Sequence, residues 1–443
     1  MTPPGRQQPA LPAARRTDVV VWALWDAGCN GMSAIVGTFV FAVYLTNAVG
    51  AGCTGDTSPA SWLGRALTVA GLTVAALAPA VGVWVQHPRR RRRVLTLFTA
   101  TAVTLTAAMA LIRPDCSYLF AGLALLAVAT GCSDLASIPY NAMLTQVATP
   151  RTAGRISGFG WAAAYSGSVV LLLVIYVGFV AGGGDTRGLL GLPAAEGTNV
   201  RMAMLVTAGW FALFALPLLL RAHRIGAPDP DRGPPVGVAR AYRQVWADLA
   251  AERRRDRNLV RFLLASALYR DGMVGVFVFG AVLGVNVYGV SAADVLIFGV
   301  AACVVAALGA AAGGLIDDRI GAKPVIVTAL SCMIVLGLVL LVASGPTAFW
   351  VLGLALCLFI GPVQAASRTM LIRMSGAGRE GVAFGLYTMT GRAVAFLGPW
   401  LFSVFVDVFD TVRAGMGGLI VVLVAGLAVL VTVRAPEHRR AAA

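Results

Sequence analysis

The sequence predicts an all-α membrane protein: twelve transmembrane helices in two pseudo-symmetric six-helix bundles. Three observations carry that prediction. The 443 residues are 58% hydrophobic and only 12% charged, a balance that soluble globular chains of this length do not show. Twelve apolar stretches are close to or above the length of about 20 residues that a helix needs to cross a bilayer. Finally, short stretches in the first and fourth spans recur, in the same order, in the seventh and tenth.

The spans follow in order. A polar leader, 1–18, precedes the first, 19–49, which is too long for the apolar region of a cleaved signal peptide. The second, 62–86, and third, 94–112, flank the run Arg89 to Arg93. The fourth, 118–147, carries IPYNAML, the fifth, 156–181, opens on RISGFGWAAAYSG, and the sixth is 202–220. These make a first bundle over 19–220. A linker over 221–259 follows, whose Pro228, Pro230, Pro234 and Pro235 mark turns. Its second part, 239–258, spaces Tyr242, Val245, Trp246 and Leu249 along one face among arginines, the pattern of an interfacial helix. The second bundle, 260–433, holds spans 260–288, 292–316, 324–343, 349–373, 382–408 and 416–433, and 434–443 is a tail.

The net charge of +15 resides in short loops rather than in a nucleic-acid-binding face. Of 35 basic residues, 27 fall in alternate loops and the termini, five on the other side and three inside spans. That asymmetry predicts a multi-pass cell-membrane protein with both termini cytoplasmic. The seven cysteines and three histidines have no metal-ligand spacing, so neither a metal nor a cofactor is expected, nor an enzyme. Cys53 and Cys116 alone fall in predicted outer loops, where a disulfide between them is expected. GGGDTRG, 182–188, follows no strand, so it reads as a flexible outer loop and not as a phosphate cradle. Without a nucleotide-binding domain, any transport must draw on an ion gradient or on the substrate's own.

ALWDAG at 23–28 echoes ALYRDG at 267–272, with the acids offset by one position. IPYNAML, 138–144, stands where GPVQAASRTML, 361–371, stands in the second half, which makes Asn141 and Gln364 counterparts. The loop GLIDDRIGAKP resembles the G-x-x-x-D-R-x-G-x-K signature of the major facilitator superfamily, through Gly314, Asp318, Arg319, Gly321 and Lys323. Physically this is a short turn whose acid can latch onto bases or a neighbouring helix N-terminus. The first-half copy keeps only its basic end, with Gln86 and His87 at the acid and arginine positions. WALWDAGCNGMSAIVGTFVFAVYLTNAVG, YNAML, LYRDG and VQAASRTM followed by AFGLYTMTGRAVAFLGPWLF are similar to the vacuolar amino-acid effluxer family and its bacterial "unknown major facilitator" branch. The run after Asp26, with Ala27, Gly28, Cys29, Asn30 and Gly31, departs from that family's pattern.

The resemblance implies that the first, fourth, seventh and tenth spans line a central cavity. Asp26, Asp134, Arg270, Asp271 and Arg368 fall in those spans, and Arg392 in the eleventh. Charges placed at membrane depth at roughly 2.5 to 3.5 kcal/mol each mark a pathway or a structural ion pair. With Asn141 and Gln364 they form the candidate substrate and proton pathway, Asp26 or Asp134 being the better proton sites and Arg270 free to reach Asp134. An aromatic wall could draw on Trp22, Trp25, Tyr140, Trp161, Tyr165, Tyr269 and Tyr387, with Trp25, Tyr140 and Tyr269 as the selected candidates. Three acids against three bases suit a zwitterionic or dipolar solute. The expected function is secondary active efflux of amino acids or related small metabolites, by a monomer in the lipid bilayer with proton coupling. Export of drug-like compounds and a non-transporting receptor or scaffold are the alternatives.

Overall fold

The structure, a computed structural model, describes residues 16–53, 59–86, 88–149, 151–182, 186–193, 195–222, 257–290, 292–375 and 379–434. All but the last three residues of the leader, all but Arg434 of the tail and nearly all of the expected interfacial helix lie outside them. Eleven helical segments among the described residues are long and apolar enough to cross a membrane. The helix Arg257–Asn286, 30 residues long with Arg270 and Asp271 near its middle, completes twelve.

The helices are α1 (Arg16–Gly52), α2 (Pro59–Trp84), α3 (Pro88–Ala108), α4 (Leu119–Ala142), α5 (Ala153–Ile175) and α6 (Thr198–Arg221). Then follow α7 (Arg257–Asn286), α8 (Ala292–Ile320), α9 (Ala322–Val342), α10 (Pro346–Met374), α11 (Glu380–Phe409) and α12 (Val412–Val431). Short connections make neighbours antiparallel, so the first residue of α1 and the last of α12 share one face of the bundle, the terminal face. Prolines 79, 139, 217 and 362 lie inside helices, where packed neighbours can satisfy the backbone groups they free. The Pro362 ring has its own seat: a Cβ on Gly313 of α8 would stand 2.6 Å from the proline Cβ.

The eleventh span is not the continuous helix that its apolar run predicts. It breaks into α11a (Glu380–Val394) and α11b (Leu397–Phe409). Pro399 explains the restart, because proline fits a helix's first turn, where its missing N–H is no loss. α1 is also irregular, with π-helical turns at Ile35–Phe39 and Leu45–Val49 around a distorted Val40 (φ −121°, ψ −64°). The outer segment expected to be a plain flexible loop forms a small antiparallel pair, β1 (Thr186–Arg187) and β2 (Leu192–Pro193). Gly188, φ +70°, presses there against the Gly178 carbonyl.

Within the first six helices α1 packs on α5 and α6, and within the last six α7 packs on α12 and α8 on α10. The repeat is visible in this packing. A Cβ on Gly28 of ALWDAG would strike Phe214 of α6 at 2.9 Å, and one on Gly272 of ALYRDG would strike Leu423 of α12 at 2.9 Å.

Between the two sets, α5 lies on α8 and α2 on α11. Glycine brings the backbones together at both seams. A Cβ on Gly154 would lie 2.6 Å from the Gly314 carbonyl oxygen, and one on Gly385 2.6 Å from that of Ala78. At the second seam the contact is confined to the terminal side. Toward the opposite face no α11 residue from Thr388 to Leu397 is buried, and on α2 before Ala78 only Val74 is. Along this seam the two sets are therefore closed at the terminal face and parted beyond it.

Candidate substrate site

The deepest charged contact joins the two helix sets. Arg368 of α10 donates through Nη2 to Oδ2 of Asp26 on α1 at 2.9 Å, with both side chains buried. Asn30, one turn along α1, donates from Nδ2 to the other carboxylate oxygen at 2.9 Å. Asn30 thus orients the acid. Aromatic faces surround the guanidinium: its Cζ lies 4.5 Å from the Trp161 ring centroid, 5.6 Å from Tyr140 and 5.9 Å from Trp22. Such faces stabilise a cation where water is excluded. Trp22 and Tyr140 stack at 4.7 Å, and the Trp22 indole donates to the Tyr140 carbonyl at 3.1 Å. Gly160 admits this stack, since a Cβ there would come within 2.6 Å of the Trp22 ring. Arg368 Nη1 is buried without a hydrogen-bond partner, as is the Trp161 indole nitrogen.

A second cross-set ion pair lies further from the terminal face, between Arg392 of α11a and Asp134 of α4. Both side chains are partly open, 40% and 29% exposed. Along its helix Arg368 stands about 9 Å from the terminal end, and Arg392 and Arg270 about 18 to 20 Å from theirs. The Asp26 pair is thus shut in between the two sets, and the Asp134 pair is partly open.

Arg270 does not reach Asp134, which Arg392 occupies. Its guanidinium instead lies over the Tyr387 ring, 4.0 Å from the centroid, with one long hydrogen bond of 3.4 Å to the Tyr387 carbonyl. Asp271 turns away from the seam and accepts the Gly398 backbone N–H at 2.5 Å, in the first turn of α11b. Asp26 and Asp271, near-counterparts in the repeat, have different partners: one bridges the two sets, the other ties two helices of the same set.

The selected aromatics are all fully buried in this conformation. Tyr140 stacks with Trp25 at 4.4 Å, and the Trp25 indole donates to Thr99. The Tyr269 hydroxyl and Ser367 Oγ are 2.7 Å apart. Tyr140 alone of the three touches the Arg368 site. Asn141 is buried with Oδ1 unpartnered, and Gln364 is partly exposed.

The loop signature resolves into separate jobs. Asp318 accepts the backbone N–H of Gly154 at 2.7 Å and of Arg155 at 3.1 Å, so an acid ending α8 caps the start of α5 across the seam. Gly314 permits the approach, and Gly321 takes φ +90°, which side chains rarely adopt. Lys323 donates to the carbonyls of Val431 and Val433, closing the end of α12 within its own set. Arg319 is exposed.

Sequence reading missed a buried cluster beside this latch. Asp317 is fully buried, accepts from Thr369, and pairs with Arg373 Nη1 at 2.5 Å. The signal was the doubled acid Asp317 and Asp318 at a helix end. Arg373 reads in sequence as one more loop base. Cys53 and Cys116 are joined as a disulfide with their Cα atoms 5.2 Å apart, on the face opposite the termini.

Twelve membrane helices in two packed sets, parted along one seam toward one face and closed at the other over a buried cross-set ion pair, define a transporter of the major facilitator superfamily and not an enzyme. The chain belongs to the family described as vacuole effluxer Atg22 like, whose model matches residues 49–443. It is 22% identical over 417 residues to the uncharacterized MFS-type transporter YxiO of Bacillus subtilis, covering 94% of each chain. Its fold matches the proton:xylose symporter XylE bound to 6-bromo-6-deoxy-D-glucose, with TM-score 0.70, 14% identity, and 95% and 96% of the two chains covered. It also matches the major facilitator transporter FucP in the outward conformation, with TM-score 0.68, 13% identity, and 95% and 100% covered.

Proposed function

We propose that this chain exports amino acids or related small polar metabolites by alternating access, coupled to protons, from a cell membrane in which both termini are cytoplasmic. The observation that carries the reading is the buried Asp26 to Arg368 pair, which ties the two helix sets together beneath the parted region. With the termini inside, the closed face is cytoplasmic and the cavity opens outward, like the state named for FucP. Rocking the sets would separate Asp26 from Arg368, and an acid leaving its base becomes a group that can take a proton. The family's description as effluxers supports the direction. Acids and bases set in pairs suit a dipolar solute better than a bulky apolar one.

The test is flux in proteoliposomes with a metabolite panel, with and without a proton gradient. Amino-acid flux that follows the gradient is expected. Gradient-independent flux would overturn proton coupling, and flux confined to bulky apolar compounds would overturn the substrate class.

A further inference from the structure

Arg270 is the charge in the cavity region that the fold leaves unmatched. Asp26 is held by Arg368, Asp134 by Arg392, and Asp271 by the Gly398 N–H. Arg270 makes no ion pair among the described residues, and its contacts are the Tyr387 ring and one long bond to a carbonyl. The repeat explains the vacancy. In the alignment of ALWDAG with ALYRDG, Arg270 falls at the place of Asp26. The register that pairs Asn141 with Gln364 puts Thr145 at the place of Arg368. The second half of the repeat thus supplies a base for the acid of the first, whereas the first supplies no acid for the base of the second.

A guanidinium at membrane depth with most of its five N–H groups unused is costly unless an anion arrives. The surroundings keep it available. Tyr387 braces one face of the plane. On the edge lies Gly391, where a Cβ would stand 3.1 Å from Nη1, so glycine leaves that edge uncovered. Arg270 is itself partly exposed, and so are Met389 and Thr390 on the same stretch of α11a.

We propose that Arg270 anchors a substrate carboxylate, by the paired N–H geometry in which arginine binds that group, and that the substrates are small carboxylates, α-amino acids among them. The assignment rests on the transport reading above for its biological meaning, but binding tests it directly. The purified full-length protein in detergent, at constant chloride, is titrated with L-leucine and L-phenylalanine, their amides and alcohols, and the matching deamino acids, reading thermal stability. The carboxylates should stabilise the protein, and the amides and alcohols should not. R270Q should weaken carboxylate binding at least about tenfold, the factor set by about 1.4 kcal/mol, with R270K intermediate. G391A, a substitution that favours helix, should also weaken it by crowding Nη1. Amides that bind as tightly as acids, or R270Q and G391A variants that bind carboxylates normally, would overturn the assignment. Binding that prefers carboxylates, without flux of any solute in proteoliposomes, would instead fail the transport reading and leave the subsite standing.

Discussion

Asp26 and Arg368, 342 positions apart in sequence, meet at 2.9 Å where α1 crosses α10, and no other cross-set ion pair among the described residues is buried on both sides. Removing one partner of a buried pair strands the other, at about 3 to 5 kcal/mol, whereas replacing both is often nearly neutral. Arg368→Met should therefore lower the unfolding temperature markedly, and the double variant Asp26→Asn with Arg368→Met should recover most of the loss. Thermal unfolding in detergent reads this, and a single variant as stable as the parent would refute it. In transport, Asp26→Asn should lose gradient-driven flux and keep counterflow, since exchange needs no net proton movement.

The glycine seams predict a shift in conformation. Val at Gly154 or Gly314 would force a side chain into a backbone carbonyl 2.5 to 2.6 Å away, so the terminal face should no longer close. A penalty of about 1.4 kcal/mol on that state alone lowers its relative population about tenfold. A cysteine at Thr390, with the free cysteines replaced, should then react correspondingly more slowly with an impermeant thiol reagent added at the opposite face. An unchanged rate would mean that the seam tolerates the side chain.

The latch acid gives a smaller effect. Asp318→Ala removes the cap from the first backbone N–H groups of α5, worth about 0.5 to 2 kcal/mol. Because those groups belong to the other helix set, the loss should fall on the closed state more than on the fold. Reactivity at the seam should rise while the unfolding temperature changes little, and the reverse pattern would make Asp318 a stability residue only.

The membrane spans and the charged positions were legible in the sequence because helix length and burial of charge are local demands that single segments must meet. Gly314 and Asp318 were legible because a close helix approach needs a glycine and a bare helix start needs an acceptor. Partner choice was not. Asp134 could be seen to need a base, but Arg270 and Arg392 lie at similar depth on different helices, and only the rotation of each helix decides between them. The α11 break was readable in Gly398 and Pro399, yet the apolar run around them outweighed that signal. Arg373 resembled a topology signal because its acid, Asp317, is one helix away.

The disulfide between Cys53 and Cys116 closes a loop with a sequence separation of 63 residues, tying the end of α1 to the start of α4. A link of this kind contributes about 2 to 4 kcal/mol, mainly by restricting the unfolded chain. Reduction, or Cys53→Ser, should lower the unfolding temperature without changing carboxylate binding, because both cysteines are remote from Arg270. Two thiols that alkylate freely without reductant would remove the bond from the account.

Asp271 separates a structural acid from a transporting one. Its carboxylate accepts the Gly398 N–H at 2.5 Å in the first turn of α11b, where backbone N–H groups lack helical partners. Sequence position next to Arg270 suggests a role in the substrate site, so Asp271→Asn would be expected to weaken binding. The geometry predicts otherwise. Asn retains an acceptor oxygen and should be nearly silent in binding, whereas Asp271→Ala leaves the N–H without its charged acceptor, a loss of about 1.5 to 3 kcal/mol. That loss should appear as a lower unfolding temperature in the Ala variant, with carboxylate affinity retained at temperatures where it remains folded. A fall in affinity in Asp271→Asn at unchanged stability would place Asp271 in the substrate site after all, and would return the acids of α1 and α7 to equivalent roles.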